Sequence, residues 1–421
     1  MAFLRSLSAG VTGLRNHTMM MDVIGNNVAN INTIGFKGSR ITFGEMFAQT
    51  LRGSASGTAT NGGTNPMQIG LGASVLSIDT VFKQGGIELT GGEGDLAISG
   101  NGFFVVNKGG KPFYTRIGAF SVDDQGRLTQ GGAILQGKVA DQLGNVSSGT
   151  KLQDLKIDLD RKSPAKATSI AKFSGNLDPD AKIGDTTDSS VTIYDSQGNA
   201  MSLNLTFTKT ATDNSWTWQA TVPPPTTATI PSGGSGTVTF DTLGALSGMT
   251  FDDGSTTLGI ATGKGTDDLA IELNFGIAGE YKGITQNSGT MSVTSREQNG
   301  YAAGEMTEWK IDPSGKINAT FKNGQTITLG QVMLAEFNNP NGLSRSGDGL
   351  FDVSANSGIP VIIEAGGSSR SSIASGALEQ SNVDLPEEFT KMIVAQRGFQ
   401  SNARVITTSD EILNEIVNLK R

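Results

Sequence analysis

Two stretches at opposite ends of the chain repeat an apolar residue every seventh position, and that repeat constrains the fold most. Near the start the series is Leu7, Leu14, Met21 and Val28, with Leu4 and Val11 on the neighbouring position. Near the end it is Met392, Phe399, Ile406 and Leu413, flanked by Ala403, Ile416 and Val417. A seven-residue apolar stripe is the seam of a helix that packs on another helix. One narrow stripe cannot form a globular core alone, so each end needs a partner, most simply the other end. The plainer alternative is two amphipathic helices inside an ordinary domain. The first helix is expected from Leu4 to Ala29, roughly 39 Å long, stopping in the Asn- and Gly-rich stretch from Asn26 to Gly38. The second has Asp384 to cap it, Glu387 as capping-box partner and Pro386 in its first turn. Gly398 inside it costs about 1 kcal/mol relative to Ala. That is tolerable in a packed helix and useful where another backbone must come close.

Between these ends the period turns to two. The chain holds 57 Gly among 421 residues, with 6% aromatic and 17% charged residues, a balance that fits many short strands joined by tight turns. Strands are expected at Ser74–Phe82, Leu96–Ser99, Phe103–Asn107, Phe113–Arg116 and Ala133–Gln136. A second set falls near Ser189–Tyr194, Met201–Thr208, Ser215–Val222, Thr237–Phe240 and Ala270–Phe275. A third lies around Glu308–Ile311, Ile317–Phe321 and Val332–Asn338. Residues 52–66 read as a flexible polar loop, and 223–236, with three prolines at its start, as an exposed one. A chain of this length exceeds one typical core. The expected fold class is α+β multidomain, with the terminal helices paired as a coiled coil and nested, mainly antiparallel β domains. The expected division is a helical domain of 1–37 with 385–421, linking segments 38–74 with 370–384, an inner β domain of 75–164 with 284–369, and an outer β domain of 165–283.

The sequence offers no enzyme constellation. Its net charge of −8 and lack of a basic cluster argue against nucleic acid as a partner. There is no Cys and a single His, His17, so thiol chemistry and the common zinc sites are excluded. Gly263-Lys264 is followed by Gly265, which fails as a phosphate loop, and Gly100-Asn101-Gly102 precedes a strand, which fails as a dinucleotide fingerprint. The Asp-rich turns at Asp123, Asp195 and Asp312 lack the spaced carboxylates of a calcium loop and read as hairpin turns. The sequence thus points to no cofactor, no metal and no catalytic residue. No apolar run is long enough for a membrane span. No signal-peptide core is found at the start, so export would use a route that reads no cleaved signal. A β-rich calcium-binding surface adhesin would share the Gly- and Asn-rich composition, but would be expected to show a signal peptide, repeats and spaced Asp ligands.

The stretch LSAGVTGLRNHTMMMDVIGNNVANINTIGFK (7–37) resembles the N-terminal signature of the bacterial flagellar rod and hook family. Residues 22–37 are its most specific part. The segment from Ala377 to Leu419 is similar to the matching C-terminal signature. In the middle, DLAISGNGFFVV (95–106) and YTRIGAFSVDDQGRLTQGGAILQG (114–137) resemble the inner β domain of that family, and VTIYDSQGNAMSLNLTFTK (191–209) and 323–351 resemble its hook members. A distal rod protein is the second reading, because residues 52–70 match in position an insertion of that rod protein. The outer β domain at 165–283 speaks against it.

The resemblance implies an assembly, not a reaction. It implies terminal helices that line an inner tube, β domains layered outside, and a homo-polymer in the form of a short curved tube that carries torque as a universal joint. The partners it implies are rod proteins, a hook cap, hook-filament junction proteins, a hook-length control protein and the flagellar type III export apparatus. The place is the flagellar hook and basal body, outside the cell after export. Terminal helices that cannot bury their stripes alone are expected to be largely disordered in the monomer and to order on assembly. The stripe residues Leu4, Leu7, Val11, Leu14, Met21, Val28, Met392, Phe399, Ile406 and Leu413 are expected to carry the helical seam. Asn26, Asn27, Asn30 and Phe36 are expected at the helix end and in contacts with neighbouring subunits.

Overall fold

The structure is a computed structural model, and it describes residues 2–57, 62–147, 149, 151–224, 227–263, 265–366 and 371–418, with side chains from residue 5 onward. The chain divides into two compact units, one made of 1–158, 309–318 and 328–421 and the other of 159–308 and 319–327.

The first unit contains both helices. α1 spans Ala2–Ala29 and α2 spans Leu385–Asn418. The cap of α2 forms as its sequence dictates: the Glu387 N–H donates to Asp384 Oδ1 at 3.0 Å. The Glu387 side chain does not turn back to close the capping box but pairs with Lys391 at 2.8 Å. After α1 the chain enters an antiparallel ladder of Ser39–Glu45 with Ala73–Thr80. The expected loop at 52–66 is not wholly irregular. Ala48–Arg52 pairs with Met67–Gly70, and Ala55 bridges Thr64, so a two-stranded arm leads into it. Residues 58–61 at its centre lie outside the described residues. The unit's main sheet runs from Ala133–Val139 through Phe103–Lys108, Lys111–Thr115 and Leu350–Asp352 to Ser344–Arg345, all antiparallel. Its apolar side gathers Phe82, Phe103, Tyr114, Phe337 and Phe351, whose rings meet edge to face at centroid distances of 4.8–6.0 Å.

The second unit packs two sheets on one core. A five-stranded antiparallel sheet holds Thr186–Tyr194, Ala200–Lys209, Ser215–Thr221, Ser235–Phe240 and Leu246–Phe251 in that order. Side chains alternate in and out along Ala200–Lys209, which explains why the two-residue period identified it. The other sheet is mixed: Ile170–Leu177 pairs parallel with both Leu269–Asn274 and Ile284–Gln286. Trp216, Trp218, Phe173, Phe207 and Phe275 are buried between them. The expected loop at 223–236 carries a strand, Thr229–Ser232, paired with Leu258–Ala261. Pro231 is tolerated there because the strand is the sheet's edge and its register is broken between Thr229 and Ser232.

Among the described residues one turn is used five times. Asp123, Asp141, Asp195, Asp241 and Asp312 each open an Asp-x-x-Gly sequence whose Gly has φ between 79° and 88°. In each, Asp Oδ1 accepts the backbone N–H groups two and four residues on, at 2.7–3.0 Å. These carboxylates are committed to backbone donors, which is why the turns resemble calcium loops in composition only. Burial alone would raise the Asp195 carboxyl, but the Asn199 side chain and the N–H groups of Asn199, Gln197 and Gly198 outweigh it and hold it below the ordinary range. A depressed folded value means stability that is present above the unfolded value near 3.8 and lost as pH falls through the folded one. Asp195→Asn is therefore expected to lower the unfolding midpoint of this unit at pH 7 and to flatten its loss below about pH 4. Unchanged acid melting in the variant would show that this turn does not contribute.

Candidate assembly interface

The two helices run antiparallel. Ser6 Oγ lies 3.5 Å from Ser409 Oγ, and Asn27 Nδ2 donates to Glu388 Oε2 at 3.2 Å at the other end of the pair. Between these points the helices meet through glycines, polar side chains and Ile406. A Cβ placed on Gly10 would lie 3.2 Å from Ile406 Cγ1. One on Gly13 would lie 2.6 Å from Asn402 Oδ1, and one on Gly398 2.4 Å from His17 Cε1. Three glycines thus let the two backbones approach, and the Asn402 and imidazole side chains fill the space they leave. Buried on the two helices are Ile24, Asn16 and Asn27 of α1 and Glu388, Ala395 and Ser409 of α2.

Consequently much of the apolar surface of the pair faces away from the seam. Leu7, Leu14, Met21, Val28, Met392 and Leu413 are half-buried, as is Ile406, which sits in the seam against Gly10. Val11 and Phe399 are exposed, Phe399 at 37%, as are Met19, Phe389, Ile393, Val394, Ile412 and Ile416. The side chain of Leu4 lies outside the described residues. The two stripes and the contact seam coincide at Ile406 and otherwise differ, because a seam closed by glycine needs few large apolar residues.

Where both helices join the β structure, the signature residues form a polar hub. Asn27 clamps the first strand reciprocally: its Nδ2 donates to the Ser39 carbonyl and its Oδ1 accepts the Ser39 N–H, both at 2.8 Å. Asn30 Nδ2 closes the end of α1 on the Asn26 carbonyl at 2.9 Å, with Asn26 itself exposed. Glu388 is also held by Lys391 at 2.9 Å. Asn382 Oδ1 accepts the Gly38 N–H, and its Nδ2 donates to the carbonyls of Val81 and Lys83. At the centre, Glu379 takes Lys37 at 2.5 Å and Arg116 at 3.3 Å, with all three side chains at 0–1% exposure. Burial pulls the Lys37 ammonium and the Arg116 guanidinium below their ordinary values, and Glu379 opposes both shifts. The Arg345 guanidinium lies over the Phe36 ring, 5.2 Å from the ring centroid.

Sequence reasoning singled out Asn26, Asn27, Asn30 and Phe36 but not Lys37, Arg116, Glu379, Asn382 or Glu388. A signal was present: Lys37 and Glu379 are charges inside the two signature segments, each set among residues that are otherwise neutral. Among the described residues, no group of three or more His, Asp or Glu could hold a metal ion.

Four family models match the chain. They are Flagella basal body rod protein at 7–37, Flagellar hook protein FlgE/F/G D1 domain at 97–171, Flagellar basal body protein FlaE D2 domain at 158–301, and Flagellar basal body rod FlgEFG protein C-terminal at 374–419. The chain is 39% identical to the flagellar hook protein FlgE of Borreliella burgdorferi, over 99% of this chain and 100% of that protein. It is 34% identical to the flagellar hook protein FlgE of Salmonella typhimurium with the same coverage. It is 30% identical to the flagellar basal-body rod protein FlgG of Bacillus subtilis, again over 99% and 100%.

Proposed function

The chain belongs to the flagellar hook protein family, and we propose that it is a structural subunit that polymerises into the curved hook, passing torque from the rod to the filament while the tube bends. The observation that carries this reading is end-to-end similarity to hook proteins, together with the match of residues 158–301 to the Flagellar basal body protein FlaE D2 domain model. The helix pair supports it. Its mutual contact is built on glycines, Asn402, His17 and Ile406, while Phe389, Ile393, Phe399, Ile412 and Ile416 stay exposed, an arrangement suited to burial against further copies. A subunit joined to its neighbours through unlike surfaces extends as an open helix instead of closing into a dimer. The reading involves no catalytic step, and the one imidazole is wedged between helices opposite Gly398.

The finer partners follow from the same reading. The protein is proposed to leave the cell through the flagellar type III apparatus, to add beneath a hook cap, to stop at a length set by a control protein, and to join the rod below and the junction proteins above. The residues proposed to bear on neighbours are the outward members of the two stripes, Val11 and Phe399, with the half-buried Leu7, Leu14, Met21, Val28, Met392, Ile406 and Leu413.

The test is electron microscopy of cells lacking the protein and complemented with wild type or with Phe399→Asp. Wild type is expected to restore curved hooks on an intact rod. Phe399→Asp, at a position already exposed in the subunit, is expected to leave both units folded and yield no hooks. Loss of the rod itself in the deletion strain would favour the rod-protein reading. Normal filaments from Phe399→Asp would remove the seam residues from the proposal.

A further inference from the structure

Beside the end of α1 lies a cavity of about 620 Å³, walled by Asn30, Phe36, Gln130 and Arg345 and based on Leu350 and Phe351. Its charges are unbalanced. Asp348 on its rim is answered by Lys108 at 2.9 Å. Arg345 lies on the Phe36 ring and donates to the Lys37 carbonyl, and among the described residues no carboxylate pairs with it. An apolar base with one unanswered cation at its mouth suits an acidic amphipathic segment.

The end of α2 is such a segment, and it cannot reach this cavity in the same subunit. The last turns of α2 present Asp410, Glu411 and Glu415 beside exposed Ile412 and Ile416. Among the described residues none of these carboxylates is paired with a Lys or Arg, and the last turn of α2 holds no base. Carboxylates near a helix C-terminus sit against the negative end of the dipole, which a partner's cation would relieve. The antiparallel seam sets Ser409 beside Ser6. From there α1 runs on to Ala29, about 35 Å at ~1.5 Å per residue, with Asn30 directly after it.

We propose that the cleft receives the acidic last turns of α2 from a second copy of the chain, with Glu411 and Glu415 on Arg345 and Ile412 and Ile416 over the apolar base. This rests on the reading of the chain as a polymer subunit and specifies one of its contacts. The contact joins the tail of one subunit to the head of the next, so it repeats without closing.

The sequence has no Cys, which makes the test clean. Full-length protein carrying Gln130→Cys and Ile416→Cys is polymerised and oxidised. The expected result is a covalent ladder of dimers, trimers and longer species, absent from either single variant. Independently, Arg345→Glu is expected to slow polymerisation about tenfold, and adding Glu411→Arg and Glu415→Arg to it should restore the rate to within about threefold. Tubes that form at the wild-type rate with Arg345→Glu and give no ladder would overturn the contact and leave the hook reading standing. Wild-type protein that forms no tube at all would overturn the hook reading and the contact with it.

Discussion

Glu379→Ala is expected to destabilise the first unit by about 3–5 kcal/mol, because it leaves two cations buried without their anion. Lys37 and Arg116 converge on Glu379 from opposite parts of the chain, one just after α1 and one in the β structure. Glu379 Oε1 also accepts the Gly85 N–H at 2.9 Å, so the truncation orphans a backbone donor as well. Since native stability is typically of order 5–15 kcal/mol, the variant is expected to populate unfolded or partly unfolded subunits and to produce no hooks. Replacing the whole trio with apolar residues of similar volume, Lys37→Met, Arg116→Met and Glu379→Met, is expected to recover most of the loss, since no charge is then left unpaired. Chemical denaturation checks both. An unchanged midpoint for Glu379→Ala would mean that the trio does not hold the ends of the helices to the β structure.

Gly398→Leu is expected to separate the helices while leaving the β structure folded. A Cβ at this position already lies 2.4 Å from the imidazole of His17, and leucine adds three further carbons toward α1. Overpacking of this kind costs about 1–3 kcal/mol, which is large for a pair whose seam contains little apolar surface. Alanine is the informative control. It gains about 1 kcal/mol in helix propensity, and the atoms it displaces are the far end of a side chain. Gly398→Ala with His17→Ala is therefore expected to pair normally. Amide exchange across α2 reads the pairing, and electron microscopy reads the hooks. Normal hooks from Gly398→Leu would show that close approach at this point is dispensable.

Glu379 lies where the sequence was least legible, whereas Gly398 was legible as a place where another backbone comes close. The helices were legible because a seven-residue stripe and the Asp384 cap are local signals, and the strands of the second unit were legible because one buried face imposes a two-residue period. The arm at 48–70 and the edge strand Thr229–Ser232 were not, because paired backbone without a buried face leaves no apolar alternation to read. The Asp-x-x-Gly turns at Asp123, Asp195 and Asp312 could be identified from composition, since only glycine adopts the positive φ there without strain.

The amino-acid sequence alone established the two terminal helices, the β-rich middle and the family, since these rest on local periodicity and on residues that keep their identity and order along the chain. It also pointed to Gly398 as a place of close approach. Which surfaces meet was settled by the fold. Residues 37, 116 and 379 become one buried charge cluster only when segments more than 260 positions apart are brought together. Ile406 packs into the pair against Gly10, while Val11 and Phe399 stay exposed, because three glycines, an asparagine and a histidine occupy most of its centre. A periodic pattern states which face of a helix is apolar. It does not state whether that face covers the partner helix or is left for another copy of the chain, because that depends on where small residues allow two backbones to touch.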